Sequence, residues 1–406
     1  MTTPLTIVGG GIGGLSSAIA LARKGKLVQV MERAGEFRAI GYGIQLGPNA
    51  FQAFQHLGIE QEVLGKCSLP HEGLLRDAHT AEVLLRVPMG SRMKECYGKP
   101  YAVIHRADLH QVLLDGCSRL GVGLTTNCEL LNFSDDGGSV ELETTRGRRV
   151  ASALIAADGV ASKVRSKLFN TLEPQKLGYA AFRAVHPMEK MPAKFGNNAV
   201  VLWCGAGYHM IHYPLRGGRL FNLVAVFDYW LDQARSSQTS LADRLIERFS
   251  SACEEVRELL GYVDLSQHWE IATIEPIGEW SKGRVALLGD AAHAMVQAMA
   301  QGACQAIEDS VVLAECLADA AGDETSHIEK SFRAYQGKRI LRATRVQYMS
   351  RYMWELIHVR DAFSLLRRDL LAKFRESDVL EELSWLYGAN GGKPRDIARL
   401  RYEPAL

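Results

Sequence analysis

Leu5-Thr6-Ile7-Val8-Gly9-Gly10-Gly11-Ile12-Gly13-Gly14 is the stretch whose reading decides the fold. Its first four residues are apolar or β-branched, as in a short buried strand, and a glycine-rich turn follows at once. Beyond the turn Leu15, Ala18, Ile19 and Leu21 recur at helical spacing. In a strand–turn–helix of this kind Gly9 permits the turn, Gly11 lets backbone approach a pyrophosphate, and Gly14 lets the helix pack on the strand. The free amides and the dipole of the helix start then face the phosphates. A second strand, Val28-Gln29-Val30-Met31, closes on Glu32 with Arg33 beside it. Glu32 falls where a carboxylate can accept from ribose hydroxyls. A glycine-rich turn in some other α/β protein is the plain alternative, and the turn alone does not separate a flavin from a nicotinamide dinucleotide.

A second motif makes that choice. The buried-strand pattern Val285-Ala286-Leu287-Leu288 runs into Gly289-Asp290-Ala291-Ala292-His293, and Gln301-Gly302-Ala303-Cys304-Gln305-Ala306-Ile307-Glu308-Asp309 follows. Here the chain resembles the flavoprotein aromatic hydroxylases, single-component monooxygenases that carry a GDAAH segment before a glycine-rich helix start. The resemblance implies FAD as cofactor, with Asp290 on the ribityl or ribose chain and the helix start at Gly302 and Ala303 against the flavin ring. Reduced flavin carries negative charge, which helix N-terminal amides stabilise. Ala157-Asp158-Gly159-Val160-Ala161-Ser162-Lys163-Val164-Arg165 resembles the family's central DG motif, and His105-Arg106-Ala107-Asp108-Leu109 its FAD-reaching arginine. The loop Gly41-Tyr42-Gly43 adds Gly43 on the flavin side. Taken singly, Asp158 reads equally well as a cap for a helix near Ser162, and Arg106 as a surface ion-pair partner.

The likeness covers nearly the whole chain, including Tyr179-Ala180-Ala181-Phe182-Arg183, Tyr213-Pro214-Leu215-Arg216-Gly217-Gly218 and His293-Ala294-Met295-Val296-Gln297. Within the family it points to enzymes that convert 3-hydroxybenzoate to gentisate with NADH and dioxygen. Carried over motif by motif, it implies His209 and Gln297 beside the substrate hydroxyl and Tyr213 as a polar wall. An electron-rich ring accepts electrophilic oxygen best when its phenol is ionised or bonded to a base, a task that suits histidine, and Gln297 can orient the same oxygen. Without the resemblance, His209 reads as a satisfied histidine inside a sheet.

Three positions depart from the pattern. Tyr42 stands where relatives carry a small residue, Ala294 replaces a common proline, and His212 offers a second candidate base. A salicylate or hydroxynicotinate hydroxylase is therefore the nearest rival, and a catalytically silent flavin-binding regulatory protein the rival of another class. No second dinucleotide fingerprint is visible, so NADH is expected as a transient visitor.

The bulk numbers fit. The chain has 406 residues, 47% hydrophobic and 23% charged, with formal net charge +1. That balance offers no reservoir of positive charge for nucleic acid. The eight cysteines form no CxxC pair and no His/Cys cluster has metal-ligand spacing, so thiols in a reducing cytoplasm and no metal are expected. No apolar run reaches the roughly 18 residues of a membrane span, and the start lacks a leader pattern. Family members are often dimers, so the resemblance admits a homodimer, while the sequence itself does not fix the oligomeric state.

The expected architecture is α/β: a Rossmann-like FAD-binding domain, discontinuous over 1–70, 100–178 and 272–345, an inserted β-sheet substrate domain over 71–99 and 179–271, and C-terminal helices over 346–406. Short strand-like runs such as Ala199-Val200-Val201-Leu202-Trp203 and His209-Met210-Ile211-His212-Tyr213 supply the second sheet. Arg339, Arg342 and Arg345 recur at three-residue steps and read as a solvated helix face.

Overall fold

The computed structural model describes residues 3–37, 41–170, 173–230, 239–318, 324–360 and 362–388. The end of the expected C-terminal segment, 389–406, lies outside the described residues.

Strand β1 (Leu5–Val8) turns through Gly9, at φ 105°, into helix α1 (Ile12–Arg23), and β2 (Val28–Met31) returns beside it. Further on come α2 (Arg106–Arg119), β3 (Ala153–Ala156), the long β4 (Gln175–Pro187), β5 (Tyr208–Leu215) and β6 (Leu220–Asp228). The chain then forms β7 (Val285–Leu287), α3 (Gly302–Ala318) and α4 (Glu324–His358). Two shorter helices, Phe363–Leu371 and Glu376–Tyr387, follow.

One sheet has six strands in the order Ser281–Lys282, β7, β3, β1, β2, Gly123–Thr125. The strands from β7 to Gly123–Thr125 run parallel, with Val8 opposite Ala156 on one side and Met31 on the other. Because β1, β3 and β7 are buried at every position, they read as unbroken apolar runs, as strands covered on both faces do. The chain leaves β1 toward β2, while β3 and β7 add on the other side. This reversal of strand order opens a crevice at the carboxyl end of β1, where open α/β sheets hold ligands.

The second sheet has seven strands in the order His268–Thr273, β4, β6, β5, Ala199–Gly205, Glu72–Asp77, Val83–Pro88. Both its faces are covered. The outer face packs Phe182, Met210, Phe221 and Phe227 with Leu245, Phe249 and Val256 of two short helices. The inner face packs Ala181, Val224 and Val226 against Val296 and Trp354. The architecture is thus α/β, with a Rossmann-like flavin-binding region, an inserted sheet and C-terminal helices. Among the described residues no helix is long and apolar enough to cross a membrane.

The basic stripe on α4 departs from its expected solvated state. Arg339 is buried and binds Asp309 at 2.7 Å and Glu308 at 2.6 Å, and Arg342 binds Glu308 at 2.6 Å. Arg345 alone of the three is exposed, lying over the Trp385 ring. Burial by itself would raise both carboxyls, but the guanidiniums prevail: Glu308, beside Arg339 and Arg342, falls to about 2, and so does Asp309, beside His293 and Arg339. The acids come from α3, so the stripe ties the two helices together, which helix periodicity in α4 alone cannot reveal.

Candidate active site

The cradle at the end of β1 is held from three sides. A Cβ on Gly9 would lie 2.2 Å from the Ala157 carbonyl oxygen, and one on Gly14 1.9 Å from that of Gly9. Turn, helix and β3 therefore touch through bare backbone. His110 donates from Nε2 to the Gly10 carbonyl at 2.7 Å, a bond that pins the turn from α2. Glu32 accepts from the Gly10 amide at 2.8 Å and the Ala34 amide at 2.9 Å, so its carboxylate stands over the turn. Arg33 is exposed beside it, and exposed Arg106 opens α2 with its amide bonded to the Tyr42 carbonyl.

At the far end of the crevice, Gly289 (φ 62°) starts the turn Asp290–His293, and its amide donates to Asp309. A Cβ on Gly302 would sit 3.7 Å from Asp290 Oδ1, so the structure brings Asp290 to the start of α3. Ala303 is only half-buried there, and the first turn of α3 contains no acidic residue, which leaves its positive end for an anion. Arg165 clasps this turn to the DG loop, donating to the carbonyls of Ala291 at 3.0 Å and Val160 at 2.6 Å. Asp158 accepts weakly from the Val164 amide through Oδ2, while Ser162 caps that helix. Burial raises the Asp158 carboxyl.

FAD fits these residues. A Cβ on Gly11 would meet no protein atom within 4 Å, the open space a pyrophosphate requires. Asp158 Oδ1 and Asn222 Nδ2 are buried without a protein partner among the described residues, two polar atoms that a polar ligand would satisfy.

The inner face of the second sheet lies beside the segment that leads into α3. Strand register places Ala181, Val226 and His209 in one row, Arg183, Val224 and Ile211 in the next, and Val185, Asn222 and Tyr213 in a third. Ala181, Val224, Val226 and Ile211 form an apolar floor that packs on Val296 and Ala298, the neighbours of Gln297. Polar groups flank it. Arg183 donates to Gln297 Oε1 at 3.0 Å and stands over the rings of Tyr42 and Trp269. Burial and Arg106 lower its pKa, while Tyr213 and Tyr42 oppose them; none of these neighbours is a carboxylate. Tyr213 is buried against Gly43, where a Cβ would come within 2.5 Å of its ring. The Gly43 amide donates to Asn222 at 2.8 Å, so the flavin-side loop is stitched to this face. Ala300, in the left-handed region at φ 53°, turns the chain between Gln297 and Gly302.

A model of an FAD binding domain family matches residues 2–349. The chain is 39% identical to 3-hydroxybenzoate 6-hydroxylase of Polaromonas naphthalenivorans, over 96% of each chain. The chain is a single-component FAD-dependent aromatic hydroxylase. It is also 32% identical to 3-amino-4-hydroxybenzoate 2-monooxygenase of Streptomyces cremeus, over 96% of each chain. The Klebsiella pneumoniae protein HpxO, solved with FAD and uric acid, shares the fold at TM-score 0.83 and 24% identity, covering 95% of this chain and 98% of its own.

In this hydroxylase His209, Tyr213 and Gln297 converge on the inner face, but His212 does not join them. Side chains alternate along β5, so His212 falls with Met210 on the outer face, stacked on Phe221 and edge-on to Phe195. Burial, with Arg76, pushes its pKa down to about 3. Tyr42 turns its ring edge to Trp269, centroids 5.1 Å apart, and forms a wall under Arg183. Sequence reasoning assigned no role to Arg183, Asn222, Trp269 or His358. For Arg183 there was a signal: a lone arginine in the apolar strand Tyr179–Val185.

Proposed function

We propose that this hydroxylase consumes NADH and dioxygen to hydroxylate a phenolic aromatic acid, converting 3-hydroxybenzoate to gentisate. The observation that carries this reading is the apolar floor Ala181–Val224–Val226–Ile211 with a cation, Arg183, on one side and an imidazole, His209, on the other. A flat ring suits the floor, its carboxylate suits Arg183, and its phenol suits His209. The relatives named for 3-hydroxybenzoate and for an aminohydroxybenzoate, both phenolic acids, support the same substrate class.

Gly9, Gly11, Gly14 and Glu32 would hold the adenosine and pyrophosphate end of FAD, and Asp158, Asp290, Gly43, Arg106, Gly302 and Ala303 the flavin end, with Arg33 at the rim. When bound, FAD passes the two electrons of NADH to dioxygen. One oxygen atom enters the ring carbon para to the phenol, and the other leaves as water. The protein's own part is to hold the ring and take its proton. Arg183 orients the ring through the carboxylate. His209 accepts the phenol proton, which makes the ring electron-rich. Gln297, fixed by Arg183, orients the phenol oxygen, with Tyr213 as the wall beside it. The packed floor excludes water from the reacting edge.

Supplying the FAD-loaded protein with NADH and a panel of hydroxybenzoates tests the proposal. Gentisate from 3-hydroxybenzoate is expected, whereas catechol from salicylate would replace this reading with its nearest rival. His209→Ala should lower product formation by about 100-fold and leave FAD content unchanged; undiminished product would remove His209 from the mechanism.

A further inference from the structure

The base proposed above does not stand alone. Its Nδ1 lies 2.8 Å from Nε2 of His358, the last residue of α4, and Nδ1 of His358 lies 2.7 Å from the Trp354 carbonyl oxygen. A carbonyl only accepts, so His358 Nδ1 carries a hydrogen. In the neutral ring its Nε2 is then a bare acceptor. His209 must therefore donate from Nδ1, and its own Nε2 keeps the lone pair. The chain of donors thus runs from His209 through His358 to a backbone oxygen, and it prepares one nitrogen of His209 to receive a proton.

Everything around His358 favours this neutral, fixed state. Burial, with Arg360 and Arg367, holds its pKa down at about 3, against the opposing Trp354 carbonyl. Arg360 is itself paired with Asp228 and Arg367 with Asp77, and the two ring nitrogens of His358 meet His209 and the Trp354 carbonyl oxygen. His209 is held well below its usual range by burial and by His358. The His358 backbone is anchored as well: its carbonyl accepts from the Gly207 amide at 3.1 Å, and Arg367 donates to the neighbouring Ile357 carbonyl at 3.2 Å. Trp354 and Tyr179 pack on the His358 ring, at centroid distances of 4.5 and 4.8 Å.

We propose that His358 is a positioning residue that fixes the tautomer of His209, so that Nε2 is the nitrogen that accepts the phenol proton. This inference rests on the reading of His209 as the base. In the step itself the phenol O–H bond breaks and an Nε2–H bond forms on His209. The charge on the new imidazolium is then stabilised by its Nδ1–H bond to His358.

Two variants of the FAD-loaded enzyme separate the possibilities. His358→Gln keeps an oxygen that accepts from His209 and an amide that donates to Trp354, whereas His358→Leu keeps neither. Long-range 15N–1H spectra of histidine-labelled enzyme report which nitrogen of His209 carries the proton, independently of turnover, with His209→Asn supplying the assignment. The expected result is an unprotonated His209 Nε2 in the wild type and in His358→Gln. In His358→Leu the two tautomers should mix, and gentisate formation from 3-hydroxybenzoate should fall by about 10-fold. A wild-type His209 protonated on Nε2 overturns the proposal, even if His358→Leu fails to fold. An unchanged tautomer and rate in His358→Leu overturns it too. Failure of the base reading shows differently, as full product from His209→Ala.

Discussion

Replacing Arg183 with glutamine separates recognition of the ring acid from the chemistry that follows. In the wild type the guanidinium is held by Gln297 at 3.0 Å and lies over Tyr42 and Trp269, with no carboxylate among the described groups that act on its charge. A carboxylate that enters the site would thus be its first anionic partner there. Hydrogen bonds to a charged group contribute about 1.5–3 kcal/mol, and each 1.4 kcal/mol is about tenfold. The wild type should therefore prefer 3-hydroxybenzoate over the neutral 3-hydroxybenzamide by about 10- to 150-fold in kcat/KM. Arg183→Gln should bring that ratio near one. Because no acid is left unpaired, the fold should lose little beyond the bond to Gln297, about 1 kcal/mol. The assay is product formation from acid and amide at matched FAD content. If the variant keeps the wild-type ratio, Arg183 does not read the carboxylate, and the orientation of the ring on the floor must be revised.

Gly11→Ala should leave the melting temperature of the FAD-free protein almost unchanged, because the added methyl meets no protein atom within 4 Å, yet weaken FAD binding measured by flavin fluorescence. Gly9→Ala should instead lower stability with or without FAD, since its Cβ would lie 2.2 Å from a backbone oxygen at φ 105°. Arg339→Met should cost about 3 kcal/mol in denaturant titration, the low end for a broken buried pair, because Glu308 keeps Arg342 and Asp309 keeps His293; a loss under about 1 kcal/mol would mean the network is not a net brace. Both acids have folded pKa values depressed to about 2, so the stability they contribute is full above the ordinary carboxylate range, about 4, and drains away as pH falls from there to about 2. Circular dichroism across that window should show the loss, and Arg339→Met should move its onset to higher pH.

The cofactor cradle was legible because its parts are close in sequence. Strand, turn and helix at Leu5–Arg23 and the carboxylate at Glu32 meet within one βαβ unit, where glycine spacing alone dictates the backbone approach. The turn at Gly289 and the start of α3 follow the same local logic. The candidate catalytic face was legible only in part. Strand β5 is buried on both sides, so polarity does not alternate along it, and periodicity alone does not separate His209 from His212, the second candidate base. Only the packing of one face on Trp354 and of the other on Phe195 separates them. His358 lies 149 residues from His209, and Arg339 finds its acids on another helix. By itself, then, the sequence determined that a dinucleotide is held, because that cradle is built from short-range backbone geometry, and the family resemblance at Gly289–Asp309 made it a flavin. Tertiary structure decided which histidine bonds His358 and which arginine stands over Tyr42 and Trp269, because those properties belong to partners that only packing brings together.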